Sequence, residues 1–269
     1  MEATSTVRAN GQTIYYEAHG DGPPLVLVMG IGYDSSLWGQ QVPPLSKRFR
    51  TIIFDNRDVG RSSKAEAAYT IADMADDLAG LLGALEIPKA HVLGTSMGGM
   101  IAMELALRHP QLLSRLVLVN TGAATARTRF DPIRTWAWVK AHDHDGLEFA
   151  ALQFHWLFSP AFLRNDAAVD QTLKALASNP NPVSPEAYAR QAEAYLKHDA
   201  LDRLPGITAP TLVVAAEQDR LTPPSIVKEV ADAIPGARYH MITGAGASHA
   251  VPLERPDDFN RLVADFLAE

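Results

Sequence analysis

The run His91-Val92-Leu93-Gly94-Thr95-Ser96-Met97-Gly98-Gly99-Met100 holds a serine between two glycines. An apolar stretch leads in and an Ala/Met/Leu-rich stretch leads out. A strand entering and a helix leaving would fold Ser96 into a sharp turn, with its hydroxyl lifted above a sheet. Side chains at positions 94 and 98 would collide across such a turn, so small residues are required there. The helix start at Met97 would aim free N–H groups at the same point, where they favour developing negative charge. That arrangement suits acyl transfer.

A serine hydroxyl is a weak nucleophile until a base takes its proton, and the base needs a partner that orients it. Two later segments offer these groups. Leu212 to Ala216 is an apolar run that ends in Glu217-Gln218-Asp219. Further on, Ile242-Thr243-Gly244-Ala245-Gly246-Ala247-Ser248-His249 couples the end of another apolar run to a glycine-rich loop and a histidine. We read Asp219 as the orienting acid, with Glu217 as second choice, and His249 as the base. The run ending Val119-Asn120-Thr121 carries no carboxylate that could replace Asp219. His91 opens an apolar run and His109 ends a helical one, which suits structural roles. His142, His144 and His155 fall in a segment with no strand pattern. His142-Asp143-His144-Asp145-Gly146 reads as a solvated loop rather than a metal site, because neighbouring residues point in different directions.

These residues need elements to hold them. Asn10-Gly11 between two β-prone runs, Thr6 to Ala9 and Gln12 to Ala18, predicts a hairpin. Leu25 to Met29, Thr51 to Phe54, Ala90 to Leu93, Arg115 to Val119, Thr211 to Ala215 and Arg238 to Ile242 are short runs bounded by turn formers. They predict buried parallel strands. Ile71 to Leu85 repeats apolar residues with helical rhythm. Met97 to Arg108, Pro224 to Ile234 and Pro256 to Leu267 also read as helices. Alternation of this kind predicts an α/β sheet with helices on both faces. From Gly122 to Pro205 no strand pattern occurs. That stretch predicts a helical insertion, dividing the chain into a core of residues 1–121 and 206–269 and an insertion of residues 122–205.

The 269 residues carry 24 basic and 31 acidic side chains, for a formal charge of −7. This balance argues against nucleic acid as a partner, which needs a dense basic face. The absence of cysteine excludes disulfides, thiolate metal sites and a cysteine nucleophile. With no apolar leader or membrane-length run, the expectation is a cytoplasmic protein acting without membrane contact.

Four segments in order resemble the α/β-hydrolase superfamily. They are Gly94-Thr95-Ser96-Met97-Gly98-Gly99, Phe54-Asp55-Asn56-Arg57-Asp58-Val59-Gly60-Arg61-Ser62-Ser63, the Asp219 loop ending Leu221-Thr222-Pro223-Pro224, and His249 with Leu253-Glu254-Arg255-Pro256. The chain looks most like bacterial esterases and enol-lactonases with a Ser-Met-Gly-Gly elbow. The resemblance implies a mostly parallel central sheet with a helical cap, and a nucleophile, acid and base in the order Ser96, Asp219, His249. It also implies an oxyanion hole from the backbone N–H groups of Ile31 and Met97. Relatives often carry histidine where this chain has Met29. The Asp55, Arg57, Gly60 and Ser62 turn is read as structural. Trp136, Trp138, Phe154, Trp156 and Phe158, with Phe162, are candidates to line an apolar pocket in the cap.

The implied activity is hydrolysis of a small to medium apolar ester through an acyl-enzyme, with no cofactor and no metal. An enol-lactonase or carbon–carbon bond hydrolase would use the same groups. A small-molecule receptor on this scaffold is the alternative outside enzymology.

Overall fold

The computed structural model describes residues 3–129, 131–143 and 146–269. Eight strands form one sheet: β1 (Ala3–Ala9), β2 (Gln12–His19), β3 (Pro24–Val28), β4 (Arg50–Phe54), β5 (Ala90–Thr95), β6 (Leu113–Val119), β7 (Thr211–Ala216) and β8 (Arg238–Ile242). Their order is β1-β2-β4-β3-β5-β6-β7-β8. β1 pairs antiparallel with β2, and β2 with β4, while every later pairing is parallel. The chain therefore has the mostly parallel sheet expected of the α/β-hydrolase fold. Asn10 and Gly11 both take positive φ, 46° and 77°, as a two-residue hairpin turn requires.

Alternate residues of the central strands feed two cores. Val26, Val28, Val92 and Leu118 join Leu78, Met100 and Val230 on one face. Leu25, Leu27, Leu93 and Val117 join Trp38, Phe259 and Phe266 on the other. The first face is covered by α1 (Ile71–Ala84), α2 (Met97–Arg108) and α7 (Pro224–Ala233), and the second by α8 (Pro256–Leu267). β8 departs from the buried strand expected. It lies at the sheet edge with one neighbour, and Arg238, His240 and Met241 are exposed.

Between β6 and β7 the described residues form helices and loops without a strand. The longer helices are α3 (Pro132–His142), α4 (Leu147–Leu157), α5 (Asp166–Ala177) and α6 (Pro185–Leu196). Several polar contacts join this insertion to the core. Arg190 donates to both carboxylate oxygens of Asp58 at 2.8 and 2.7 Å, and Asn179 Nδ2 donates to Asp34 at 2.7 Å.

Where the insertion rejoins the core, His198 is buried with Nδ1 3.6 Å from Glu104. Arg203 also donates to Glu104. Burial pushes the His198 pKa down from 6.5 to about 4, with Glu104 opposing the shift and Arg203 adding to it. The folded chain thus binds fewer protons at His198 than the unfolded chain over this window. Stability is lost as pH falls from about 6.5 toward 4. Denaturant unfolding at pH 7 and pH 4.5 should show His198 contributing roughly 2 kcal/mol to the acid loss. His198→Gln should flatten the dependence by that amount, and an unchanged slope would assign the acid loss to other groups.

Candidate active site

β5 ends in the turn that carries Ser96, at φ 54° and ψ −125°, immediately before α2. A Cβ at Gly94 would lie 2.2 Å from the Gly98 carbonyl oxygen, and one at Gly98 2.1 Å from the Val28 carbonyl oxygen. Both approaches are main chain to main chain, so no side-chain adjustment could relieve them. The Ser96 amide donates to the Val119 carbonyl at 2.9 Å, and the Thr121 hydroxyl donates to the Ser96 carbonyl at 2.7 Å. The strained residue is therefore pinned from the neighbouring strand.

The Asp219 and His249 loops follow β7 and β8. His249 Nδ1 lies 2.8 Å from Asp219 Oδ2, and both residues are buried. The other Asp219 oxygen accepts the Leu221 and Thr222 amides, each at 2.9 Å. An ionised carboxylate can only accept, so the imidazole proton belongs on Nδ1, leaving Nε2 a lone pair. Glu217, the rival acid, instead accepts the Gly244 amide at 2.7 Å in an exposed position. It braces the loop that carries His249.

Asn120 also braces that loop. Its Nδ2 donates to the Ser248 and His249 carbonyls at 3.1 Å each, from a residue at φ 46° at the end of β6. The Glu254 carboxylate accepts from Ser159 of the insertion at 2.9 Å and from the Ser248 hydroxyl at 2.5 Å.

The segment after β3 faces Ser96 closely: a Cβ at Gly30 would lie 3.2 Å from the Ser96 Cβ. Ile31 and Met97, the expected oxyanion donors, are buried beside it. Asn56 Nδ2 donates to the Met29 carbonyl at 3.1 Å, and the Gly32 amide donates to Gln191 Oε1 at 2.8 Å. In the sequence, Asn56 stands out only as part of the Asp55 segment, with no role of its own, and Gln191 does not stand out.

Ser96 and His249 line one cavity of about 100 Å³. Ile31, Trp136, Phe154 and Phe158 line it too, with Tyr33, Trp38, Leu221 and Leu253 among others. Among the described residues, none of those lining it is Asp, Glu, Lys or Arg. Trp138 and Trp156 must be removed from the expected lining. Trp138 is 63% exposed and stacks on His142, while Trp156 packs partly buried against the core. Residues two apart on a helix point about 200° apart, so Trp136 and Trp138 cannot share a face. The same holds for Phe154 and Trp156 on α4. Phe162 stacks on Phe158 outside the lining.

The Asp55 turn is a closed polar network. Asp55 accepts from Ser35 and Arg61, and Arg57 donates twice to Asp77 at 2.6 Å. Burial raises the Asp55 pKa, but the Arg61 and Ser35 hydrogen bonds outweigh it and the net shift is downward. His109 Nε2 lies 2.7 Å from Asp76, and His91 packs edge-on against Phe49. His144 and Asp145 lie outside the described residues, and no metal-holding cluster occurs among the described ones. No described helix is long and apolar enough to cross a membrane.

Comparison with known proteins agrees with this architecture. A protein provisionally named carbamate hydrolase RutD, from Azorhizobium caulinodans, is 30% identical over 261 residues, covering 95% of each chain. One provisionally named non-heme bromoperoxidase BpoC, from Mycobacterium tuberculosis, is 34% identical and covers 94% of this chain and 97% of its own. The crystal structure of the enol-lactonase from Burkholderia xenovorans LB400 superposes with a TM-score of 0.86 at 32% identity. It covers 98% of this chain and all of its own. The model of the alpha/beta hydrolase fold matches residues 23–256, and the chain belongs to that family.

Proposed function

We propose that the protein is a serine hydrolase of small, uncharged, apolar carboxylic esters. One observation carries this reading: Ser96 and His249 line one apolar cavity, and Asp219 holds the far nitrogen of His249. Ser96 Oγ attacks the ester carbonyl while His249 Nε2 takes its proton. The negative charge on the carbonyl oxygen is held by the Ile31 and Met97 N–H groups. His249 then gives the proton to the departing alcohol, leaving an acyl group on Ser96. Water repeats the sequence, releasing the acid and restoring the serine. The insertion acts as the cap, with Trp136, Phe154 and Phe158 closing the cavity over the acyl group.

The enol-lactonase likeness supports a second reading, cleavage of a lactone by the same groups. The lining favours neutral rings over those bearing a carboxylate, because none of its described residues is a Lys or Arg that would offset a buried negative charge.

A panel of p-nitrophenyl esters, a neutral lactone, an anionic enol-lactone and a vinylogous diketone separates these readings. The cavity, of about 100 Å³, lies below the usual range for ligand pockets. Turnover should therefore be highest for short acyl chains and fall for longer ones. Negligible turnover of every ester would remove the first reading, and preference for a lactone would install the second.

A further inference from the structure

We infer that Gln191, in the proposed cap, is a positioning residue for the oxyanion donor at Ile31. The inference rests on the reading of the site as a serine hydrolase. The Ile31 N–H belongs to the Gly30–Ile31 peptide. The peptide before it is held at its carbonyl end, where Asn56 Nδ2 donates to the Met29 oxygen at 3.1 Å. The peptide after it is held at its amide end, where the Gly32 N–H donates to Gln191 Oε1 at 2.8 Å. The donor peptide is thus bracketed by two fixed planes.

Gln191 is itself fixed. It is fully buried, and its Nε2 donates to the Arg57 carbonyl at 3.0 Å. Both ends of its amide are therefore committed, and the assignment of oxygen and nitrogen is dictated by a donor on one side and an acceptor on the other. One turn earlier on α6, Tyr188 presses on the same loop. A Cβ at Gly32, where φ is +76°, would lie 2.6 Å from the Tyr188 ring. The loop has no room to drift while α6 is seated, and it loses its amide anchor when Gln191 is removed.

This explains how the loop does without the histidine that relatives often carry at position 29. Support comes from Asn56 behind the loop and from Gln191 above it.

The test compares Gln191→Met with Arg190→Met. The second variant removes the adjacent ion pair to Asp58 and leaves the loop untouched. Readouts are kcat and KM on p-nitrophenyl butyrate, Tm, and inhibition by a trifluoromethyl ketone, whose adduct with serine places an oxyanion in the hole. Misplacing a catalytic group by about an ångström costs on the order of 100-fold. Gln191→Met should lower kcat by roughly 10- to 100-fold with KM nearly unchanged. Ketone affinity should fall by the same factor. Arg190→Met should lower Tm with kcat within about twofold of wild type, as expected for a change off the reaction path.

Should Gln191→Met fail to fold, Gln191→Ala also removes the acceptor for Gly32 without placing an apolar chain end against the Arg57 carbonyl. It should show the same loss in kcat and ketone affinity. Wild-type kcat in a folded Gln191 variant, or equal kcat losses in the Gln191 and Arg190 variants, would overturn the positioning role alone. A wild-type chain that hydrolyses no ester and binds no ketone would overturn the serine-hydrolase reading, and this role with it.

Discussion

Ser96→Ala should lower ester hydrolysis by at least about 10⁴-fold and leave the fold intact. That loss corresponds to roughly 5 kcal/mol or more of transition-state stabilisation. The magnitude follows from chemistry, since without Oγ no acyl-enzyme can form and only direct attack by water remains. Retention of the fold follows from structure. Ser96 is tied to its surroundings through its main chain, with its amide on Val119 and its carbonyl receiving Thr121. Alanine keeps those bonds and the same Cβ. It also keeps the same strained conformation at φ 54°, so the strain neither grows nor is relieved. Thermal unfolding should move by no more than about 2–4 °C, the shift expected for 1 kcal/mol in a chain of this size class. Fluorophosphonate labelling should vanish in the variant while wild type is labelled at Ser96. Near-normal hydrolysis by Ser96→Ala would remove the central claim, and an unlabelled, folded wild type would favour a small-molecule receptor.

The parts of this site that could be found in the sequence are those whose constraint is local. Gly94 and Gly98 are forced by a turn that closes within five residues, so the pattern is contiguous. Each central parallel strand is buried on both faces, so it shows in the sequence as an unbroken apolar run between turn formers. Asp219 and His249 follow strand ends, and their order along the chain is enough to pair them before any distance is known. The bracing residues are different. Asn56, Asn120 and Gln191 donate to or accept from main-chain groups that folding brings to them. Gln191 reaches Gly32 across 159 positions and Asn120 reaches His249 across 129. A lone Asn or Gln has no periodicity, and its partner, a peptide group, exists at every position. Nothing in the local sequence separates such a residue from a surface amide. The aromatic residues fall between these cases. A helical wheel over α3 or α4 would have separated Trp136 from Trp138 and Phe154 from Trp156. Which of the two faces the cavity depends on where the insertion sits.

That seating also explains why an apolar cavity can hold a buried imidazole–carboxylate pair. Burying charge is costly unless each polar group is partnered. Asp219 receives two amides and one imidazole, and the His249 loop is held by Asn120, Glu217 and Glu254. The polar partners lie behind the reacting groups, and the apolar ones lie in front. The pair is buried without being left unsatisfied.

The same arrangement fixes what Asp219→Asn should do. The Asp219 oxygen that accepts the Leu221 and Thr222 amides would remain an acceptor in asparagine, because two N–H donors point at it. The amide nitrogen must then occupy the position 2.8 Å from His249 Nδ1. An NH₂ group can only donate, so His249 would be held with its lone pair on Nδ1 and its proton on Nε2. In that tautomer Nε2 cannot take the Ser96 proton. The expected loss in kcat is about 10⁴-fold, the size seen when the same substitution in a serine protease traps the wrong tautomer. Folding should survive, since asparagine matches aspartate in shape and retains both backbone contacts. Glu217→Gln provides the contrast. Its bond to the Gly244 amide needs only an acceptor oxygen, which glutamine supplies, so activity should stay within about threefold of wild type, as for a residue outside the reaction path. A large loss in Glu217→Gln with a small one in Asp219→Asn would reverse the assignment of the acid. Comparable small losses in both would mean that His249 is oriented by something other than a carboxylate.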